Sequence, residues 1–160
     1  MRTENASVSP SGMGAAMIQQ FDHMTIVVKD VAEAKRFCGL LGFKEAVSVV
    51  ISGETFAKYM GVPGIEAEHV TLVAEGVAPR TEIQLLHYLK PEAKEDPQIR
   101  DLSKIGFNHI CFAVEDLEAV LARMTANGFS ARNEVLDFHA RKLVFLAGPE
   151  GVTVELSQWY

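Results

Sequence analysis

Cysteine is nearly absent from this chain: Cys38 and Cys111 are the two among 160 residues. Two thiols cannot build the disulfide framework of a small secreted domain, so a reduced, cytoplasmic setting is expected. An excess of basic charge is missing too. Fifteen Lys and Arg against 21 Asp and Glu leave a net charge of −6. With no basic stripe along the chain, a nucleic-acid surface is not expected. No apolar run approaches the roughly 20 residues of a membrane-spanning helix. The first residues, MRTENASVSPSGMGAAMIQQ, lack a charged start followed by an adequate apolar stretch, so residues 1–20 read as a flexible tail and not as a secretory signal. What is present is ordinary for a globular protein, 48% apolar and 22% charged. The length suits one compact unit, or two small halves around a common core.

The informative feature is an internal echo. Residues 21–43 read FDHMTIVVKDVAEAKRFCGLLGF and residues 107–129 read FNHICFAVEDLEAVLARMTANGF. A gapless shift places Phe21 on Phe107, His23 on His109, Asp30 on Asp116, Gly42 on Gly128 and Phe43 on Phe129. A second echo follows each copy, EIQLLHY at 82–88 and TVELSQW at 153–159, setting Gln84 opposite Glu155.

Each copy opens with strand-like alternation, Met24, Ile26 and Val28 on one face and His23, Thr25 and Val27 on the other. Asp30 and Asp116 stand at N-cap positions, apolar stripes of about a dozen residues follow, and Gly42 and Gly128 occupy helix-stopping positions. Three strands are expected to complete each half, near 43–51, 66–75 and 80–89, then near 129–136, 141–147 and 151–158. The segment 52–64 interrupts the first set, with a turn at Val62-Pro63-Gly64, and Gly148-Pro149-Glu150-Gly151 forms a tight connection in the second. The organisation is therefore a first βαβββ module over 21–89, a polar linker over 90–106, and a second βαβββ module over 107–160. The fold class is α+β, with the paired modules forming an open, curved mixed sheet around a shared cleft.

Alternation in the last strand of each module groups Glu82 and Gln84 on one face and Thr153, Glu155 and Ser157 on one face. If the modules pack as a duplicated pair, His23, Gln84, His109 and Glu155 can converge. Two imidazoles, a carboxylate and an amide oxygen suit a divalent metal with positions left for water or substrate, and the neutral Gln84 leaves such an ion more Lewis-acidic than a second glutamate would.

The segments FDHMTIVV, IQLLHYLKP, FNHICFAVEDL and GVTVELSQW resemble the vicinal oxygen chelate superfamily, which spans glyoxalase I, methylmalonyl-CoA epimerase, extradiol dioxygenases, and fosfomycin- and bleomycin-resistance proteins. The resemblance covers about residues 20–160. It implies one divalent ion (Zn, Ni, Co, Mn or Fe) held by His23, Gln84, His109 and Glu155, a small-molecule substrate and a homodimer. It also implies a lyase, isomerase or epimerase that moves a proton through an enediolate, with Glu155 as the proton-transferring base. One alternative is an Fe(II) extradiol-type dioxygenase, although Phe145 and Gly148 stand where that branch carries a tyrosine and a polar residue. Another is a metal-free binding or resistance protein.

Plainer roles compete for each residue. A strand histidine is usually a hydrogen-bonded core residue, and repetition sets His23 and His109 apart. His87 is expected to pack near a helix, His69 to face solvent and His139 to lie in a loop. Glu82 shares the face of Gln84 and is a candidate second base. Tyr59 and Met60 are candidates for covering substrate. Asp30 and Asp116 read as caps.

Overall fold

The computed structural model describes residues 17–160, so the expected tail falls largely outside the described residues. The first module runs β1 (His23–Val27), α1 (Val31–Leu40), β2 (Phe43–Ser52), α2 (Glu54–Met60), β3 (Glu66–Ala74) and β4 (Glu82–Lys90). The second runs β5 (Ile110–Ala113), α3 (Leu117–Ala126), β6 (Leu136–Phe138), β7 (Arg141–Ala147) and β8 (Thr153–Trp159), with a single 3₁₀ turn, Pro149–Gly151, joining β7 to β8. The fold is α+β. Two four-stranded mixed sheets are ordered β1-β4-β3-β2 and β5-β8-β7-β6, so the first strand of each module is an edge strand paired in parallel with the last.

The local causes are those the echo suggests. Asp30 Oδ1 accepts from the Glu33 backbone N–H at 2.8 Å, and Asp116 Oδ1 from that of Ala119 at 2.9 Å, which satisfies donors left over at each helix start. Gly42 (φ 94°) and Gly128 (φ 85°) take the positive-φ conformation that turns the chain from helix into the next segment.

Two elements differ from expectation. Residues 54–60 form the helix α2 between Gly53 and Gly61, inside the segment read only as an interruption. The strand expected over 129–136 is reduced to an isolated bridge between Ala131 and Leu146, then to β6. The cause lies in Asn133, whose Oδ1 accepts the Phe145 N–H at 2.8 Å and so takes a place a backbone carbonyl would hold.

One apolar core spans both modules. Ala34, Phe37 and Cys38 of α1 and Leu117 and Met124 of α3 are buried with Ile26, Val28, Ile83, Leu85, Val144, Leu146, Val154 and Leu156 from the sheets. Aromatic pairs cross between the modules: Phe37 meets Phe129 edge-on at 5.1 Å and Phe43 meets Phe112 at 5.6 Å. Reciprocal polar ties accompany them. Arg36 Nη1 donates to the Asn127 carbonyl at 2.6 Å, and Arg123 Nη1 to the Leu40 carbonyl at 3.3 Å. Both helices thus lie on the core side, and the opposite face of each sheet carries the polar residues. At one end of that face in the first module, α2 covers a second cluster of Ile65, Ala67 and Leu86. Among the described residues no helix is long and apolar enough to cross a membrane.

Candidate functional site

The parallel register of β1 with β4 sets His23 opposite Glu82 and Thr25 opposite Gln84. The antiparallel register of β3 adds Thr71 opposite Gln84 and His69 opposite Leu86. Because paired residues share a face, His23, Thr25, His69, Glu82 and Gln84 line one surface. Gln84 is held at both ends of its amide. Its Oε1 lies 3.0 Å from His69 Nε2 and accepts from Thr25 Oγ1 at 3.5 Å, while its Nε2 donates to Glu82 Oε2 at 3.3 Å. Glu82 is ionised in turn, since the guanidinium of Arg80 at 2.5 Å holds its carboxyl below the usual range. The expectation that His69 faces solvent is corrected: it is half-buried against Gln84.

In the second module, β5 and β8 place Cys111 opposite Glu155, with His109 immediately ahead of β5. His109 Nε2 lies 3.1 Å from Glu155 Oε2, and Phe145 packs edge-on to the imidazole at 5.2 Å. The other ring nitrogen, Nδ1, lies 2.7 Å from Asn108 Oδ1. Asn108 cannot be turned round, because its Nδ2 donates to the Leu102 carbonyl at 2.5 Å. Both imidazole nitrogens therefore face oxygen acceptors. A neutral imidazole carries one N–H and satisfies one of them. If Nδ1 donates to Asn108, the Nε2 lone pair points at a carboxylate, an arrangement that needs a proton or a cation between the two atoms. His23 repeats half of this pattern, with Nδ1 2.5 Å from Asp22 Oδ2.

Of the four expected ligands, His109 and Glu155 are brought together, while Gln84 and His23 sit on the face of the first sheet. Among the described residues, no group of three His, Cys, Asp or Glu side chains converges to hold an ion. A cleft of about 790 Å³ runs along β1, between Val28, Phe37, Phe129 and Pro149, but none of the four residues lines it. The four residues lie on the open sheet faces and not in that cleft. His87 Nδ1 contacts the Val28 carbonyl at 3.0 Å, away from the Gln84 face, and His139 lies between β6 and β7 with φ 55°. Tyr59 on α2 is 82% exposed.

Of the residues that touch these side chains, Asp22, Asn108 and Cys111 were not expected there from the sequence, and His69 was expected to face solvent. The first two had a signal, since each copy of the echo carries an acceptor side chain directly before its histidine.

Cys111 is also informative. Its thiol opens to solvent, yet desolvation and then its hydrogen bond to Glu155 push it up to about 12. Alkylation at neutral pH is expected to be slower than for an unhindered thiol by roughly a hundredfold or more. Glu155→Gln should accelerate it by removing the carboxylate's share. Iodoacetamide labelling followed by mass spectrometry checks both rates.

Comparison with known proteins places this geometry. The family model described as "Glyoxalase/Bleomycin resistance protein/Dioxygenase superfamily" matches residues 22–145. The chain belongs to this superfamily. An ethylmalonyl-CoA/methylmalonyl-CoA epimerase from Cereibacter sphaeroides is 28% identical over 151 residues, 89% of this chain and 99% of the relative. A glyoxalase family protein from Bacillus cereus superposes with a TM-score of 0.81 at 22% identity, covering 92% of this chain and 99% of that one. A fosfomycin resistance protein from Listeria monocytogenes, solved with Mn(II) and sulfate, superposes with a TM-score of 0.57 at 17% identity, covering 90% and 95%. The glyoxalase fold is thus the one this chain adopts.

In residue type the imidazoles and the carboxylate suit the divalent ion that the superfamily implies, although among the described residues no three such side chains converge. His109 Nε2 and Glu155 Oε2 lie 3.1 Å apart, and Asp22 and Asn108 stand against the Nδ1 atoms of His23 and His109. A borderline metal prefers such a mixture of imidazole and oxygen.

Proposed function

We propose that this protein is a divalent-metal-dependent isomerase or epimerase of the glyoxalase kind. Its substrate would be a small molecule with a carbonyl, such as an acyl thioester or a 2-oxo compound, and its chemistry proton transfer at the carbon beside that carbonyl. The observation that carries this reading is the His109–Glu155 pair, an imidazole nitrogen 3.1 Å from a carboxylate oxygen, which is a donor combination that divalent ions take. The epimerase relative, similar along nearly its whole length, favours proton transfer over ring cleavage.

His23, Gln84, His109 and Glu155 would hold the ion. When bound, it supplies Lewis acidity that draws charge from a chelated carbonyl and acidifies the neighbouring C–H. Glu155 acts as the base. Its carboxylate is 12% exposed, on a strand between the apolar Val154 and Leu156, and its Oε2 lies 3.1 Å from His109 Nε2. His69 and Gln84 fix one wall, and Leu143 and Phe145 beside β8 give the substrate an apolar surface.

A homodimer completes the site in this proposal. The first module of one copy supplies His23 and Gln84, and the second module of the other supplies His109 and Glu155. The edge positions of β1 and β5 support it, as does the separation of the donors within one chain.

The reaction is tested by incubating metal-loaded protein in deuterated water with methylmalonyl-CoA or a hemithioacetal and following exchange of the acidic C–H by NMR. Exchange is expected; oxygen uptake with catechols and no exchange would overturn the reading in favour of a dioxygenase. The dimer is tested by mixing His23→Ala with His109→Ala. A shared site regains activity in the mixed dimer, whereas a site within one chain regains none.

A further inference from the structure

The two half-sites differ by an exchange that goes beyond the ligand set. The first reads Asp22, His23 and Gln84; the second reads Asn108, His109 and Glu155. Where the strand residue is a carboxamide, the residue before the histidine is a carboxylate, and where the strand residue is a carboxylate, the preceding residue is a carboxamide. Each triplet thus carries one negative charge in total. The preceding residue reaches the same atom in both halves. Asp22 Oδ2 is 2.5 Å from His23 Nδ1, and Asn108 Oδ1 is 2.7 Å from His109 Nδ1.

We infer that Asp22 and Asn108 are positioning residues that keep the imidazole proton of His23 and His109 on Nδ1, so that each ring presents Nε2 to the site. The hydrogen-bond inventory supports the assignment. A carboxylate oxygen accepts only, so His23 Nδ1 must be the donor. Asn108 could in principle present either end of its amide. Its Nδ2 is committed to the Leu102 carbonyl, a main-chain acceptor from the linker, which leaves Oδ1 toward the ring. A fixed Nδ1–H sets both the tautomer and the ring plane, the role that outer hydrogen-bond partners play at metal-bound histidines. Asp22 adds to the first half the negative charge that Gln84 does not bring, and Asn108 leaves Glu155 as the charge of the second half.

This inference rests on the proposed metal site for its purpose, but its test does not need a metal. Long-range ¹H–¹⁵N correlation NMR on the metal-free full chain at mildly alkaline pH, with histidines assigned by substitution, reads the tautomer of each ring. The wild-type protein should show the Nδ1–H form at His23, and Glu155→Ala, which removes the carboxylate facing Nε2, should show it at His109. Asp22→Ala should release His23 alone, and Asn108→Ala added to Glu155→Ala should release His109 alone. Asp22→Asn, and Asn108→Asp added to Glu155→Ala, keep an acceptor and should keep the tautomer, a rescue that a role in folding alone would not produce. Competition between Co(II) and a chromophoric chelator should show affinity reduced about 10- to 100-fold in the single variants Asp22→Ala and Asn108→Ala. An Nε2–H form at His23 in the wild type or at His109 in Glu155→Ala, or tautomers unmoved by Asp22→Ala and by the added Asn108→Ala, overturns the inference. If the tautomers behave as expected and wild-type protein takes up no Co(II), the inference stands and the proposed metal function fails.

Discussion

Glu155→Gln is expected to lower proton exchange at the substrate carbon by about 10²- to 10⁴-fold, the span associated with loss of a positioned base. Glutamine has the same shape and stands on a strand whose flanks, Val154 and Leu156, are buried at 2% and 0% exposure. The fold is therefore expected to survive, with unchanged circular dichroism. The amide cannot take a proton at neutral pH, so the loss should fall on kcat and not on KM. His109 then gains a partner able to donate to it, and Cys111 loses the carboxylate that restrains its thiol. Faster alkylation of Cys111 in the same variant would report that the substitution acted locally. A variant that keeps full exchange activity would remove Glu155 from the role of base and shift attention to Glu82.

Phe37→Ala is expected to cost about 3–5 kcal/mol, the range for truncating a buried aromatic residue. Phe37 is 2% exposed and meets Phe129 of the second module at 5.1 Å. The cavity would therefore open where the halves join, and not inside one of them. Because one core spans both modules, urea unfolding should remain a single transition displaced to lower denaturant. Trp159, the only tryptophan, reports from β8 of the second module. Its fluorescence transition should move together with the far-UV signal of the whole chain. If Trp159 unfolded at the wild-type midpoint while the rest moved, the modules would be independent units.

Much of the architecture was legible because it was written twice. The capping aspartates, the stopping glycines and the alternation of both opening strands recur at one offset, and local physics specifies each of them. Alternation also sufficed to put Glu155 and Gln84 on the polar faces of the two sheets. What escaped depended on partners distant in sequence. The facing of His69 follows from the register of β3 against β4, which is shifted by an irregularity at Glu66 and Ala67. β6 is short because a side chain, Asn133, takes a hydrogen bond that periodicity assigns to the backbone. The seven-residue α2 is too brief for helical spacing to stand out. Asp22 and Asn108 were visible in the echo, but only geometry joins them to the neighbouring imidazoles. The packing of one module on the other, which decides whether a site closes within a chain, is a tertiary property with no local signature.

The central claim is that His23, Gln84, His109 and Glu155 make one divalent metal site. Co(II) titration against a chromophoric chelator, comparing wild-type protein with His109→Ala, tests it most directly. The account predicts stoichiometric uptake by the wild-type chain and loss of that uptake in the variant, with the fold intact by circular dichroism. Undiminished metal binding by His109→Ala would contradict it.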